Sequence, residues 1–241
     1  MVCIVDWSSL DRKGLAEYVL ALAPKIVNQH LTVDQFHGMI YRRLKKHLPI
    51  RITKTRLSRV QSNTVFVGGC YYSIWDQYNQ TCIELSLFYN PNDKFLKINT
   101  RKFQRMCMVI ADTLLHEVIH MRQFRRRDFK DLPDYPSTAR RASKREEQSY
   151  LGNSDEIDAY GFNIACDLMD RYQQNTKDVI RHLNLDQRAK RLKCDEWYTY
   201  LKAFDHDHDH PVIKRVKKKV LQYLPNAIIG KPYRDRYWIN Q

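Results

Sequence analysis

A chain of 241 residues can bury a sizeable core as one main domain, and its 41 Lys and Arg against 27 Asp and Glu give a net charge of +14 that favours polyanions, nucleic acid above all, as partners. A solvated basic face explains that charge equally well. The six cysteines form no CxxC pair and fit neither a disulfide framework nor a Cys-based zinc knuckle; the first residues show no basic-then-apolar pattern and no apolar run approaches about 20 residues, so neither a secretion signal nor a membrane span is expected, and the expected setting is a reducing cytoplasm.

Two helices are expected first. One runs from Ser9 toward Pro24; the other starts at Thr32, where "TVDQ" reads as a capping box with Gln35 at the third helical position, and ends near "HLP". Residues 42–60, "RRLKKHLPIRITKTRLSRV", carry eight Lys or Arg and no acid, and the later part alternates like a strand. From Thr64 to Tyr89, "TVFVGGCYYSI" and "TCIELSLFY" are rich in β-branched and aromatic residues around the polar turn "WDQYNQ", which predicts a β-hairpin or meander.

A helix follows from about Phe103 to Phe124. It contains "ADTLLHEVIHMRQF", whose remaining circumference is apolar nearly all round, so it should be buried. Residues 125–153, basic and punctuated by two prolines, read as a long loop. A helix from Ser154 to about Tyr172 comes next, with an apolar stripe of Ile157, Ile164 and Leu168, and then about three helices with polar connections to Gln241.

The chemistry lies in the buried helix. His116 and His120, four residues apart, share one face and can bind one ion, while Glu117 between them is too far round to ligate and is placed to act as a general base on water. Two imidazoles and a carboxylate inside an apolar helix are costly to bury without a partner, and Zn²⁺ supplies one. The alternative is a buried helix with two hydrogen-bonded histidines. Zinc hydrolysis requires a third ligand, and Glu156 is the leading choice, with Glu147, Asp155, Asp158 and His182 in reserve. Glu156 is also explained without metal, because "NSDE" places Asn153 as N-cap and Glu156 at the third helical position.

HExxH followed by a glutamate helix resembles the gluzincin branch of zincin metallopeptidases, in which the second motif is commonly Glu-x-x-Ala-Asp; "EIDAY" matches at Glu156 and Ala159, with Tyr160 at the Asp position. Upstream, "GGCYYSIWDQYNQTCIELSLFYN" before "DTLLHEVIH" is similar to the SprT-like metalloproteases, whose third ligand is usually a histidine. Together with "SDEIDAYGFNIACDL" the pattern also looks like small uncharacterised metallopeptidase-like proteins of tailed bacteriophages, for which the setting would be host cytoplasm or virion. The resemblance spans roughly residues 64–170. It implies a zinc endopeptidase acting on protein or peptide substrates, an edge strand "CIELSLF" able to pair with an extended peptide, and Tyr150 or Tyr160 as donor to the oxyanion. Packing aromatics with a solvent-facing hydroxyl explain the same tyrosines.

Two further signals stand apart from that helix. "AFDHDHDHP" offers His206, His208 and His210 as a weak metal site, or a polar loop whose last residue caps a helix with Pro211 at its first position. Basic segments at residues 42–60, 122–145 and 214–219 favour nucleic acid as a partner through phosphate contacts with interleaved aromatics.

The expected fold is α+β: a zincin-like domain with a small twisted sheet and the HExxH helix between helical N- and C-terminal parts, divided near residues 60 and 172 but packed as one. The expected function is a zinc metallopeptidase with His116, His120 and Glu156 as ligands, Glu117 as base and Tyr160 as a second catalytic group. The alternative is a catalytically silent scaffold acting as a nucleic-acid-binding or virion structural protein.

Overall fold

The computed structural model describes residues 11–46, 48–132, 143–185, 194–228 and 230–232. Helices and short strands mix along the chain, so the class is α+β. The described residues fall into two compact units, one up to Arg122 and one from Gln123 onward. No described helix is long and apolar enough to cross a membrane.

In the first unit, Asp11 accepts from Gly14 N at 2.7 Å and starts α1 (Arg12–Leu20); the expected start at Ser9 lies outside the described residues. Pro24 opens a separate one-turn helix, α2 (Ala23–Ile26), instead of closing the first, because a first-turn residue needs no donated N–H. After β1 (Leu31–Thr32) comes α3 (Val33–Lys45), and here the capping box is present in both directions: Gln35 N donates to Thr32 Oγ1 at 3.2 Å and Thr32 N to Gln35 Oε1 at 2.9 Å.

The sheet is built from β2 (Ile50–Arg56), β3 (Val65–Tyr71) and β4 (Ile83–Tyr89). The β3–β4 hairpin pairs Val65 with Tyr89 and Tyr71 with Ile83, as the sequence suggests, although its connection holds a short helix, α4 (Ser73–Gln77), where a plain turn is expected. β2 adds in parallel on the other side of β4, pairing Ile50 with Ile83 and Arg56 with Tyr89. The order β2-β4-β3 makes "CIELSLF" the central strand, which corrects its assignment to an edge. The edges are β2 and β3. One face of the sheet is closed by Ile50, Ile52, Ile83, Leu85 and Leu87, all buried, as the period-two alternation requires. β5 (Phe95–Leu96) pairs with β1 as a separate ladder.

The buried helix, α5, spans Thr100–Arg126 and starts where Asn99 Oδ1 accepts from Lys102 N at 2.9 Å. Its first half is amphipathic, burying Phe103, Met106, Cys107, Ile110 and Ala111. From Leu114 to Arg122 every residue is buried.

In the second unit, α6 (Lys144–Gly152) occupies part of the stretch expected to be loop. Its signal is a second capping box, Ser143 with Glu146, which outweighs the polar composition of the segment. Residues 133–142, with both prolines of that expected loop, lie outside the described residues. α7 (Ser154–Arg171) matches its expected span and packs against α6, α8 (Thr176–Leu183), α9 (Asp195–Ala203) and α10 (Pro211–Ala227). α10 comes close because Gly161 presents no side chain: a Cβ there would stand 2.5 Å from Lys219 Cγ.

α1 is tied to α5 by a bidentate pair. Arg12 Nη2 donates to Asp112 Oδ2 at 2.9 Å and Arg12 Nε to Oδ1, with Arg12 only 7% exposed. Removing one partner would leave the other ion buried without its counter-charge. Asp112→Ala should therefore lower unfolding free energy by about 3 kcal/mol or more in urea titrations. Lys54→Ala, which breaks the exposed pair with Asp34, should cost less than about 1 kcal/mol.

Candidate metal centre

His116 and His120 stand one turn apart on α5, 7% and 5% exposed, with Nε2 atoms 3.0 Å apart and rings crossing at 75°. Two nitrogens bound to one tetrahedral zinc at ordinary bond lengths would be about 3.4 Å apart, so small rotamer shifts suffice for shared ligation. Glu156, in the first turn of α7, is 3% exposed, and the ligand atoms of His116, His120 and Glu156 all lie within 4.8 Å of one another. Among the described residues this is the one group of three or more His, Cys, Asp or Glu that can hold a metal ion. The donor set fits: two nitrogens and one carboxylate oxygen, buried, leave a tetrahedral ion one further position.

Three of the four reserve ligands are engaged elsewhere, and none is grouped with the histidines. Arg127 clamps Asp155 through Nη1 at 2.8 Å and Nη2 at 2.7 Å. Asp158 accepts from Gln123, Tyr223 and Lys219 at 3.1, 3.0 and 2.9 Å. His182 Nδ1 is 2.6 Å from the Tyr172 hydroxyl, and Glu147 is a first-turn acid of α6. The cap of α7 closes at its second position, where Asn153 Oδ1 accepts from Asp155 N at 2.8 Å. Glu156, one residue on, belongs to the histidine group.

Glu117 is 7% exposed and lies against β3. A Cβ on Gly69 would stand 2.7 Å from Glu117 Oε1 and 2.6 Å from Thr113 Cγ2, so the bare strand backbone leaves room for the carboxylate. Gly69 and Thr113 are not among the residues singled out from sequence, although a glycine pair inside a strand is a signal of close approach. Tyr160 sets its ring edge-on to Tyr200 at 5.8 Å, and Tyr150 lies half-buried on α6.

"DHDHDH" forms a polar loop. His210 Nδ1 accepts from Val212 N at 3.2 Å and caps α10 with Pro211 at its start, while His206, His208 and His210 face Tyr198, Trp197 and Phe204. The described cysteines are free thiols; Cys3 lies outside the described residues. Burial pushes the Cys107 thiol up to about 12, and burial with Asp167 beside it raises that of Cys194, so both stay protonated near neutral pH.

Each basic segment combines paired and exposed cations. In residues 214–219, Lys214 pairs with Asp209 and Lys219 with Asp158; in residues 122–145, Arg127 and Lys144 are paired with Asp155 and Asp205, and Arg140 and Arg141 lie outside the described residues. In residues 42–60, Lys54 pairs with Asp34 and Arg51 with Glu84, while Arg42, Lys45, Lys46, Arg56 and Arg59 are exposed; Arg125, Arg126, Lys130, Arg215 and Lys218 are exposed in the other two segments.

Gly69→Ala should destabilise the protein by about 1–3 kcal/mol in thermal or urea unfolding, because backbone and Glu117 must move apart. Gly68→Ala should cost less, since its nearest obstacle, at 3.0 Å, is the movable ring of Phe88. The chain matches no protein-family model, no curated protein and no solved structure.

Proposed function

We propose that the protein is a zinc-dependent endopeptidase of zincin type. The observation that carries this reading is the buried group of His116, His120 and Glu156, with Glu117 next to the first histidine and lodged against an edge strand. A metal site that served structure alone would have no use for a second buried acid beside its ligands. When bound, Zn²⁺ supplies Lewis acidity that brings the pKa of water toward neutrality.

His116 and His120 would hold the ion with their imidazole nitrogens and Glu156 with a carboxylate oxygen. Glu117 accepts the proton of the attacking water and returns it to the amine nitrogen as the peptide C–N bond breaks. Tyr160, one turn after Glu156 on α7, is the proposed donor to the developing oxyanion. The substrate is an extended peptide. It adds as a strand to β3, an edge strand among the described residues, where main-chain hydrogen bonds give affinity with little side-chain preference and Gly69 brings the strand to Glu117. The exposed cations of residues 42–60 favour protein substrates held on or near nucleic acid.

Glu117→Gln should keep its zinc and lose peptide hydrolysis by at least about a hundredfold, since the amide preserves shape without basicity. Glu156→Ala should lose zinc, because one of three ligands is gone. Elemental analysis and cleavage of an unfolded protein substrate separate the two effects. Full zinc retention in Glu156→Ala would move the third ligand elsewhere. A wild type as inert as Glu117→Gln on unfolded and on DNA-bound proteins would favour the silent scaffold.

A further inference from the structure

The C-terminal turn of α3, the start of β2 and the α4 region surround a cavity of about 490 Å³, within the range of small-ligand pockets. Its floor is apolar: Ile50 and Ile52, 0% and 6% exposed. The rest of its lining includes two aromatic rings, Tyr41 and Trp75, and two cations, Lys45 and Arg51. None of these residues belongs to the histidine group, so the role of the cavity is independent of the metal centre.

The planar groups are already organised for stacking. Tyr72 packs on Trp75 with centroids 4.0 Å apart at 29°, and the Arg51 guanidinium lies over the Trp75 ring at 4.9 Å. Arg51 is steadied by Glu84 at 3.7 Å, and the Glu84 carboxylate is in turn engaged by Thr53 and Ser86 hydroxyls at 3.2 Å each. Tyr41 is 39% exposed and sits one turn before Lys45 on α3. Stacked aromatic and guanidinium planes, with the Lys45 ammonium donating to the Ile50 carbonyl at 3.4 Å, suit an unpaired base and its phosphate.

Charge points the same way. Lys45, Ile50, Arg51 and Ile52 all come from residues 42–60, which contain eight Lys or Arg and no acid. Arg42 and Lys46 are exposed on the same helix end and outside the cavity lining. A free nucleotide would leave them unused, whereas a continuing strand would place further phosphates there.

We propose that this cavity takes one unpaired nucleotide of a single-stranded nucleic acid, its base against the Trp75–Arg51 stack and Tyr41, its phosphate on Lys45. The site would favour single strands over duplex and show little base preference, because stacking tolerates any base.

Anisotropy titration of the intact protein with a labelled twelve-nucleotide single strand tests this. Binding should be tighter than to duplex of equal length, and Tyr41→Ala and Lys45→Glu, both exposed and not expected to disturb folding, should each weaken it about tenfold. Lys218→Glu, an exposed cation of α10, should change it less than about threefold. Photocrosslinking of a bromouridine-substituted strand, followed by peptide mapping, should label the peptide with Tyr41 or that with Trp75, a readout that needs no variant. Equal losses for Lys45→Glu and Lys218→Glu with a neutral Tyr41→Ala would overturn the proposal in favour of diffuse charge. Duplex binding as tight as single-strand binding, crosslinks confined to other peptides, or a mononucleotide binding as tightly as the strand would overturn it too.

Discussion

The cost of placing two imidazoles and a carboxylate inside a helix with no solvent-facing side is the constraint on which the rest of the structure depends. Between Leu114 and Arg122 nothing on α5 reaches water freely, and His116, Glu117 and His120 fall inside that run. Such groups persist only where something compensates for the lost hydration. For the histidines it is each other and Glu156, in a group able to hold an ion. Glu117 has room because Gly69 on β3 carries no Cβ, so the carboxylate sits where a side chain would otherwise stand.

Neighbouring polar groups are arranged so that they do not compete for the same ion. Asp155 is committed to Arg127, Asp158 to Gln123, Lys219 and Tyr223, and Asp112 to Arg12, leaving Glu156 as the acid grouped with the histidines. The thiols of Cys107 and Cys194 are held protonated by burial and take no part. A site of two nitrogens and one oxygen results, which on the proposed reading suits a hydrolytic zinc better than a structural one.

Much of this is legible in the sequence because it is local. The capping box of Thr32 and Gln35, the β-rich hairpin segments, the all-round apolar α5 and the i, i+4 histidines are short-range patterns, and Pro211 after His210 signals a helix start in the same way. The misreadings have physical causes. Residues 144–152 read as loop because polar, charged composition masks the Ser143–Glu146 box. The place of β4 at the centre is invisible because the parallel partner, β2, is distant in sequence and pairing of that kind leaves no trace in alternation. The cavity beside Trp75 depends on that same pairing, which brings the basic stretch next to the α4 region.

The central claim is that the histidine group is a zinc site, and zinc content measured on tag-free protein addresses it most directly. Elemental analysis after exhaustive dialysis should give about one zinc per wild-type chain and essentially none in the His116→Ala, His120→Ala double variant. Stoichiometric zinc surviving in the double variant, or a wild type that holds none after incubation with the metal, would contradict the account.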